Sequence, residues 1–416
     1  MPQPSKPPTL VTLCAGYVFT ADLLGGLRAR SVESPQICRA ALSFAGPESY
    51  SPAPTTLTAT CGPEKNYIEV AVGFENGVFS VYKMDTTSLL LTLRFSCKRS
   101  AYGAITAMNA SYPYVMVVSE HMMLSLYRLP QAVDGSAWGD DAHLIASLKA
   151  DSILSPISLS VRLAGSEIFA SIVYSFLHLG CGWSLGIQEL HFDSAGQQIN
   201  SRLTTTVETQ YGVHLHRMAG SENIQLSSFK PGSIALPPAN PTVPTILHQD
   251  PPTSVSYAHP YLLTSHADNT LTVYLVVSDS SNLFVKGGQR LWGHTSSVSA
   301  VQASDRGKAV SVSSQGDEVR IWELETLVSS FGSHKLFQGN SSIKVKPESQ
   351  QISRDHEGLG LLSGVPQQRS TLQSLSMGIS CKAARAPNCI EFDDERLLLL
   401  REREFGSQLL EFYDFR

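Results

Sequence analysis

Short alternations of apolar and polar residues, broken by polar turns, fill most of this chain. Period-two patterning of that kind predicts β-strands. Leu10, Val11, Thr12 and Leu13 open the first unit, followed by 17–22, a Gly25-Gly26 turn and 27–30. A second unit alternates over 56–60, continues at 67–73, turns at Glu75-Asn76-Gly77 and resumes at 78–82. Asn-Gly between two alternating runs is a hairpin signal, and both turn positions are expected at positive φ. A third unit covers 104–108, 114–118, a turn at Glu120-His121, and 124–127. After a polar loop at 130–142, a fourth unit starts at 143–148, continues at 168–174, turns around Gly180 and Gly182, and ends at 185–192. The fifth has its core at 261–265, a turn at 266–269, and a strand at 270–274. The sixth spans 293–323, preceded by an outer strand at 283–285, and the last covers 389–392, 396–401 and 409–414.

The sixth unit carries the strongest signal. Gly293-His294 opens it, apolar alternations follow at 298–301 and 309–312, a polar turn sits at Gln315-Gly316-Asp317, and Trp322-Glu323 closes it. This resembles one WD repeat, the four-stranded unit of a β-propeller, with Gly-His near its start and Trp-Asp near its end. An isolated hairpin of some other β-sandwich is the alternative, and recurrence of the pattern counts against it. Closing strands place Arg30, Tyr82, Tyr127, Leu190, Tyr274, Trp322 and Tyr413 where the repeat has its Trp. That predicts an all-β, WD40-like β-propeller of seven blades over 1–416, with its two termini meeting to complete the ring and remove the exposed sheet edges. Two stretches break the pattern. Residues 205–250 read as a long loop, and 331–387, rich in Ser, Gln and Gly, as a disordered insert between the last two blades.

The resemblance also implies a hydrogen-bond network. In WD repeats the His, an Asp in the turn before the closing strand, a Ser or Thr in the preceding strand, and the Trp are linked. His294 and Trp322 fit, with Gly293 beside them, but the Asp position falls on Gly316 and the Ser position on Val312. The network is therefore expected to be incomplete, and the propeller to rely on apolar packing between blades. Asp268, six residues before Tyr274, does fit the Asp position. These residues read as structural rather than as ligands.

Composition narrows the class. The 416 residues are 42% hydrophobic and only 16% charged, which suits a large core. A net charge of -5 gives no basic footprint for nucleic acid. No window approaches a membrane span, and the start MPQPSKPPTL has no charged region followed by an apolar one, so no membrane and no secretory signal is expected. The seven scattered cysteines contain no Cys-x-x-Cys and read as reduced thiols of a cytoplasmic or nuclear protein. No nucleophile elbow, His-Glu-x-x-His or phosphate-cradling loop occurs, so no catalytic residue, cofactor or metal is assigned. His214 and His216, two apart, are the nearest metal candidate but lack companions at fixed spacing. Val345-Lys346-Pro347-Glu348 resembles a small-modifier attachment motif. The turns before the closing strands define the expected partner-binding face, at Glu75, Glu120, Ala267 and Gln315. Two carboxylates on that face favour a basic peptide.

The succession of degenerate units, the one good repeat late in the chain, and the ending Phe392-Asp393-Asp394-Glu395, Leu399-Leu400-Arg401-Glu402 and Tyr413-Asp414-Phe415 are together similar to the propeller of fungal F-box/WD-repeat proteins. In such proteins an F-box docks on a Skp-type adaptor of a cullin ubiquitin ligase, and the propeller holds the substrate. Nothing before Leu10 reads as an F-box. The resemblance implies a non-catalytic, substrate-binding propeller whose partners are other proteins. The alternative is a scaffold propeller in an unrelated assembly.

Overall fold

The structure, a computed structural model, describes residues 9–44, 51–63, 66–97, 103–130, 142–149, 153–207, 246–314, 318–329, 342–345, 359–362, 382–383, 390–393, 395–402 and 408–415. They form seven sheets in chain order. Blade 1 holds β1 (Leu10–Cys14), β2 (Tyr17–Asp22), β3 (Gly26–Ser31) and β4 (Ser34–Leu42). Blade 2 holds β5 (Pro54–Cys61), β6 (Tyr67–Phe74), β7 (Phe79–Asp85) and β8 (Leu91–Cys97). Blade 3 holds β9 (Ile105–Ser111), β10 (Tyr114–Ser119), β11 (Met123–Arg128) and β12 (His143–Lys149). Blade 4 holds β13 (Leu154–Ala164), β14 (Glu167–His178), β15 (Gly182–Phe192) and β16 (Gln198–Thr205). Blade 5 holds β17 (Ser254–Ala258), β18 (Tyr261–Ser265), β19 (Leu271–Ser278) and β20 (Leu283–Leu291). Blade 6 holds β21 (Val298–Ala303), β22 (Lys308–Ser313), β23 (Val319–Glu323) and β24 (Ser342–Val345).

Blade 7 departs from this plan. Its hairpin is β28 (Arg396–Glu402) and β29 (Gln408–Asp414), with β27 (Ile390–Phe392) on the inner side of β28. The outer side of β29 is taken by β25 (Leu359–Leu362), running parallel, and β26 (Lys382–Ala383) pairs the far end of β28. All seven residues read as closing-strand markers lie on the third strand of their blades.

Each innermost strand packs beside those of the two neighbouring blades, and β27 packs against β1, so the ring is closed. Closure works through side chains rather than a shared sheet: Val11 and Val18 of blade 1 join Ile390, Phe392 and Leu397 to Leu400 of blade 7 in one apolar cluster. The core of the protein is therefore a set of seams between blades. Alternate residues of a middle strand enter opposite seams, as period two requires. On β10, Met116 and Val118 join the seam with blade 4, while Val115 and Val117 join the seam with blade 2. With both faces covered, such strands are buried along their whole length. A short helix, α1 (Leu324–Ser329), follows β23 and returns Leu324 and Leu327, one turn apart, to the blade 5–6 seam.

Several sequence boundaries change. The run at 143–148 does not open blade 4; it pairs with β11 as the outer strand of blade 3. The innermost strand of blade 4 is β13, which that reading left out. In the Glu75-Asn76-Gly77 turn only Gly77 has positive φ, at 78°. The Gly77 N–H donates to Phe74 O and the Phe74 N–H to Val78 O, which is a one-glycine bulge turn rather than a two-residue one. Within 331–387, β24, β25 and β26 pair with blades 6 and 7. The rest of that stretch, and 208–245 of the expected 205–250 loop, lie outside the described residues.

Candidate functional site

In blades 1 to 6 successive strands are antiparallel, so the described turns between second and third strands and the described segments that leave the outer strands lie at the same end. These segments form one face of the ring. Glu75 and Glu120 sit in such turns of blades 2 and 3, and Ala267 in that of blade 5; all three are exposed. The Glu75 carboxylate also accepts the Ala53 N–H at 3.0 Å, across to the entering strand of its own blade. Gln315, with Gly316 and Asp317, lies outside the described residues, as do His214, His216 and Lys346.

At blade 6 a buried serine and a buried acid do join His294 and Trp322, contrary to the expectation from sequence, although His294 Nδ1 has no partner within hydrogen-bond distance. The serine is Ser311, on β22, not Val312. Its Oγ lies 2.6 Å from His294 Nε2 and accepts the Trp322 Nε1–H at 2.8 Å. The acid is Glu318, two residues beyond the expected position. Glu318 Oε2 accepts the Thr295 N–H and Oγ–H, both at 2.9 Å, and faces His294 Nδ1 at 3.6 Å. Arg320 donates to Glu318 Oε1 at 2.9 Å, and Lys344 Nζ lies at 3.4 Å. Burial holds the His294 imidazole down at about 4, against the pull of Glu318. With the ring neutral and Nδ1–H toward the carboxylate, Nε2 accepts the Ser311 hydroxyl proton, and Ser311 then accepts from Trp322. Burial opposes ionisation of Glu318, yet its bonds from Thr295 and Arg320 keep the carboxyl at about 2. Gly293 has a spatial reason: a Cβ there would stand 3.0 Å from Arg320 Nη1. Ser311 lies one residue before the position that the spacing predicts, and Glu318, still in the connection between β22 and β23, lies two residues after the predicted acid.

Blade 5 carries a second, different cluster at the same end. Asp268 does not reach an imidazole. Its Oδ1 accepts the Thr270 N–H at 3.2 Å and Oγ–H at 2.6 Å, and Oδ2 stands 3.8 Å from Arg290. It therefore fixes its own turn. Beneath it, the rings of His248 and His266 stack at 3.7 Å, tilted by only 6°. Arg290 donates to His248 Nδ1 at 3.2 Å and to Leu247 O at 3.3 Å, so the proton of His248 is on Nε2, facing Thr272 Oγ1. Thr264 Oγ1 lies 2.9 Å from His266 Nε2 and also reaches Thr272 O. Burial keeps both rings neutral, His248 at about 4 and His266 at about 3. Above them opens a cleft of about 250 Å³ lined by Leu247, His248, Asp250, His266, Asp268 and Arg290. No sequence signal marked His248 or Arg290, since the first lies in the unpatterned 205–250 stretch.

The innermost strands hold a third group, toward the other end. The sulfurs of Cys14 and Cys61 are 3.6 Å apart. The Cys61 contact, burial, and the nearby Glu391 and Asp393 all raise the Cys14 thiol. Burial brings Glu391 up to about 7, with Gln302 Nε2 donating to it at 3.2 Å. The Cys14 thiol therefore favours its protonated form, which suits packing between strands. Among the described residues no three His, Cys, Asp or Glu side chains gather as a metal site, and no helix is long and apolar enough to cross a membrane.

Among solved structures, Sqt1 of Saccharomyces cerevisiae aligns with TM-score 0.44 at 9% identity, covering 99% of this chain and 97% of that one. No curated protein matches the chain. The family described as F-box protein pof12 beta-propeller matches residues 1–416.

Proposed function

We propose a substrate-binding role in ubiquitin ligation, on the premise that the chain belongs to the F-box protein pof12 beta-propeller family. The propeller holds another protein on its turn-bearing face, and a Skp-type adaptor links it to a cullin. The observation that carries this reading is the family match along all of 1–416. The chemistry of the interior fits it: burial holds His248, His266 and His294 neutral inside hydrogen-bond networks. Such groups rigidify a platform rather than transfer protons. The turn face, by contrast, exposes the large apolar side chains of Leu179, Leu247 and Trp292, and exposed apolar patches rimmed by polar groups mark interaction sites.

The test is affinity purification of the C-terminally tagged protein from its native cells, with intact-mass analysis of the bait. A Skp-type adaptor and a cullin recovered in stoichiometric amounts support the ligase reading. Their absence, with other proteins stably bound, overturns it and leaves a scaffold propeller.

A further inference from the structure

We propose that the blade 5 cleft takes a lysine or arginine side chain of a partner peptide whose neighbouring apolar side chains seat on Leu247, Leu179 and Trp292. This rests on the protein-binding reading and names the class of partner for that face.

Size comes first. At about 250 Å³ the cleft admits one long side chain and falls below the usual range of small-molecule pockets, roughly 300–1,000 Å³. Charge comes second. Its walls carry the exposed carboxylates of Asp250 and Asp268, and its one guanidinium, Arg290, donates to Leu247 O and His248 Nδ1 and stands 3.8 Å from Asp268, which leaves Asp250 without a cation in the cleft. The stacked imidazoles of the floor are uncharged at neutral pH. Two carboxylates against one committed guanidinium leave the cleft negative, and Glu75 and Glu120 add the same sign on the same face. Recognition of an acidic or phosphorylated segment calls for clustered arginines, and here the guanidinium is single.

The rims supply the apolar part. Trp292 is 68% exposed and lies under Arg290, whose guanidinium carbon is 5.8 Å from the ring centroid. On the other side Leu179 is fully exposed at the tip of the β14–β15 turn. The next strand residue, Gly182, bridges to His248, which brings Leu247, 47% exposed, against that turn. Trp and Arg are among the residue types enriched at the energetic centres of interfaces. Apolar rims around a negative cleft fit a peptide that combines a cation with aliphatic or aromatic neighbours.

The experiment is display selection of random linear peptides on the purified full chain, followed by fluorescence anisotropy with the strongest selected peptide. Selected sequences rich in Lys or Arg beside apolar residues are expected. Asp250→Asn combined with Asp268→Asn, and separately Trp292→Ala, should each weaken binding at least about tenfold, with affinity falling as salt rises. Asn at 268 still offers Thr270 an acceptor, and an unchanged circular dichroism spectrum confirms the fold. Peptides that are acidic, or binding insensitive to these variants, overturn the inference and leave the protein-binding reading standing. No selected peptide, together with no stoichiometric partner in the native-cell purification, overturns both.

Discussion

Ser311→Ala tests whether the buried network of blade 6 stabilises the ring or merely fits within it. Ser311 is fully buried, and its hydroxyl is the only atom between His294 Nε2 and Trp322 Nε1, at 2.6 and 2.8 Å. Removing it strands a buried ring nitrogen and a buried indole N–H. An unsatisfied buried group costs about 1–3 kcal/mol, so the pair predicts a loss of about 2–6 kcal/mol. If packing alone held the blade, the same change would be close to neutral, because Ala is smaller, apolar and leaves almost no cavity. The two accounts therefore differ in magnitude, not only in detail.

Urea unfolding followed by Trp fluorescence measures the difference through the midpoint. Ser299→Ala serves as reference: that hydroxyl is half-buried and donates to two backbone carbonyls at 3.3 Å. Its loss should cost no more than about 1 kcal/mol. His294→Leu in the Ser311→Ala background should show a coupling of at least about 1 kcal/mol, since removing both partners strands less than removing one. Hydrogen exchange should locate the loss in β22 and β23. A Ser311→Ala cost within about 0.5 kcal/mol of the Ser299→Ala cost would refute the network and return blade 6 to packing alone.

Three further outcomes follow. The imidazoles of His248, His266 and His294 have folded values of about 4, 3 and 4, below the ordinary 6.5, so the stability they contribute is complete above pH 6.5 and is lost as pH falls toward 4. Each ring that charges only on unfolding should lower stability by about 1.4 kcal/mol per pH unit in that window, read as a falling urea midpoint. Glu391 is shifted the other way, to about 7 from 4.5, so its contribution is complete below pH 4.5 and is lost as pH rises through 7; Glu391→Gln should raise the midpoint at pH 8 and leave it unchanged at pH 5. Gly26→Ala should unfold blade 1, because Gly26 has φ of 68° and a Cβ would stand 2.2 Å from Leu42 O; a melting temperature within a degree of the parent would refute that geometry.

Legibility in the sequence tracks how many constraints act on each strand. Middle strands such as Tyr114–Ser119 and Tyr261–Ser265 enter two seams at once, so nearly every side chain is apolar and the strand announces itself. Outer strands face solvent on one edge and tolerate almost anything. Gln198–Thr205 is mostly exposed, Ser342–Val345 is four residues long, and neither was read from sequence. Strand His143–Lys149 was seen but given to the wrong blade, because alternation shows that a strand exists and not which hairpin it joins.

The same distinction governs the two polar clusters. The blade 6 network was half legible because His294 and Trp322 sit at fixed spacings from the ends of a strand pair. Its acid sits two residues beyond the expected position, immediately before β23. Glu318 faces His294 from that position, which spacing alone does not reveal. The blade 5 cluster inherits only the turn acid, Asp268, and redirects it to Thr270 and Arg290. A stacked His pair then occupies the volume beneath that turn, as His294 and its partners do in blade 6. Two neighbouring blades thus fill equivalent ends by different polar arrangements, one sealed and one opening to a cleft. The sealed one bears on stability and the open one on recognition, so Ser311→Ala should shift the unfolding midpoint without affecting peptide binding. Asp250→Asn with Asp268→Asn should do the reverse, and a pair of variants that fail to separate in this way would show that the two blades act as one unit.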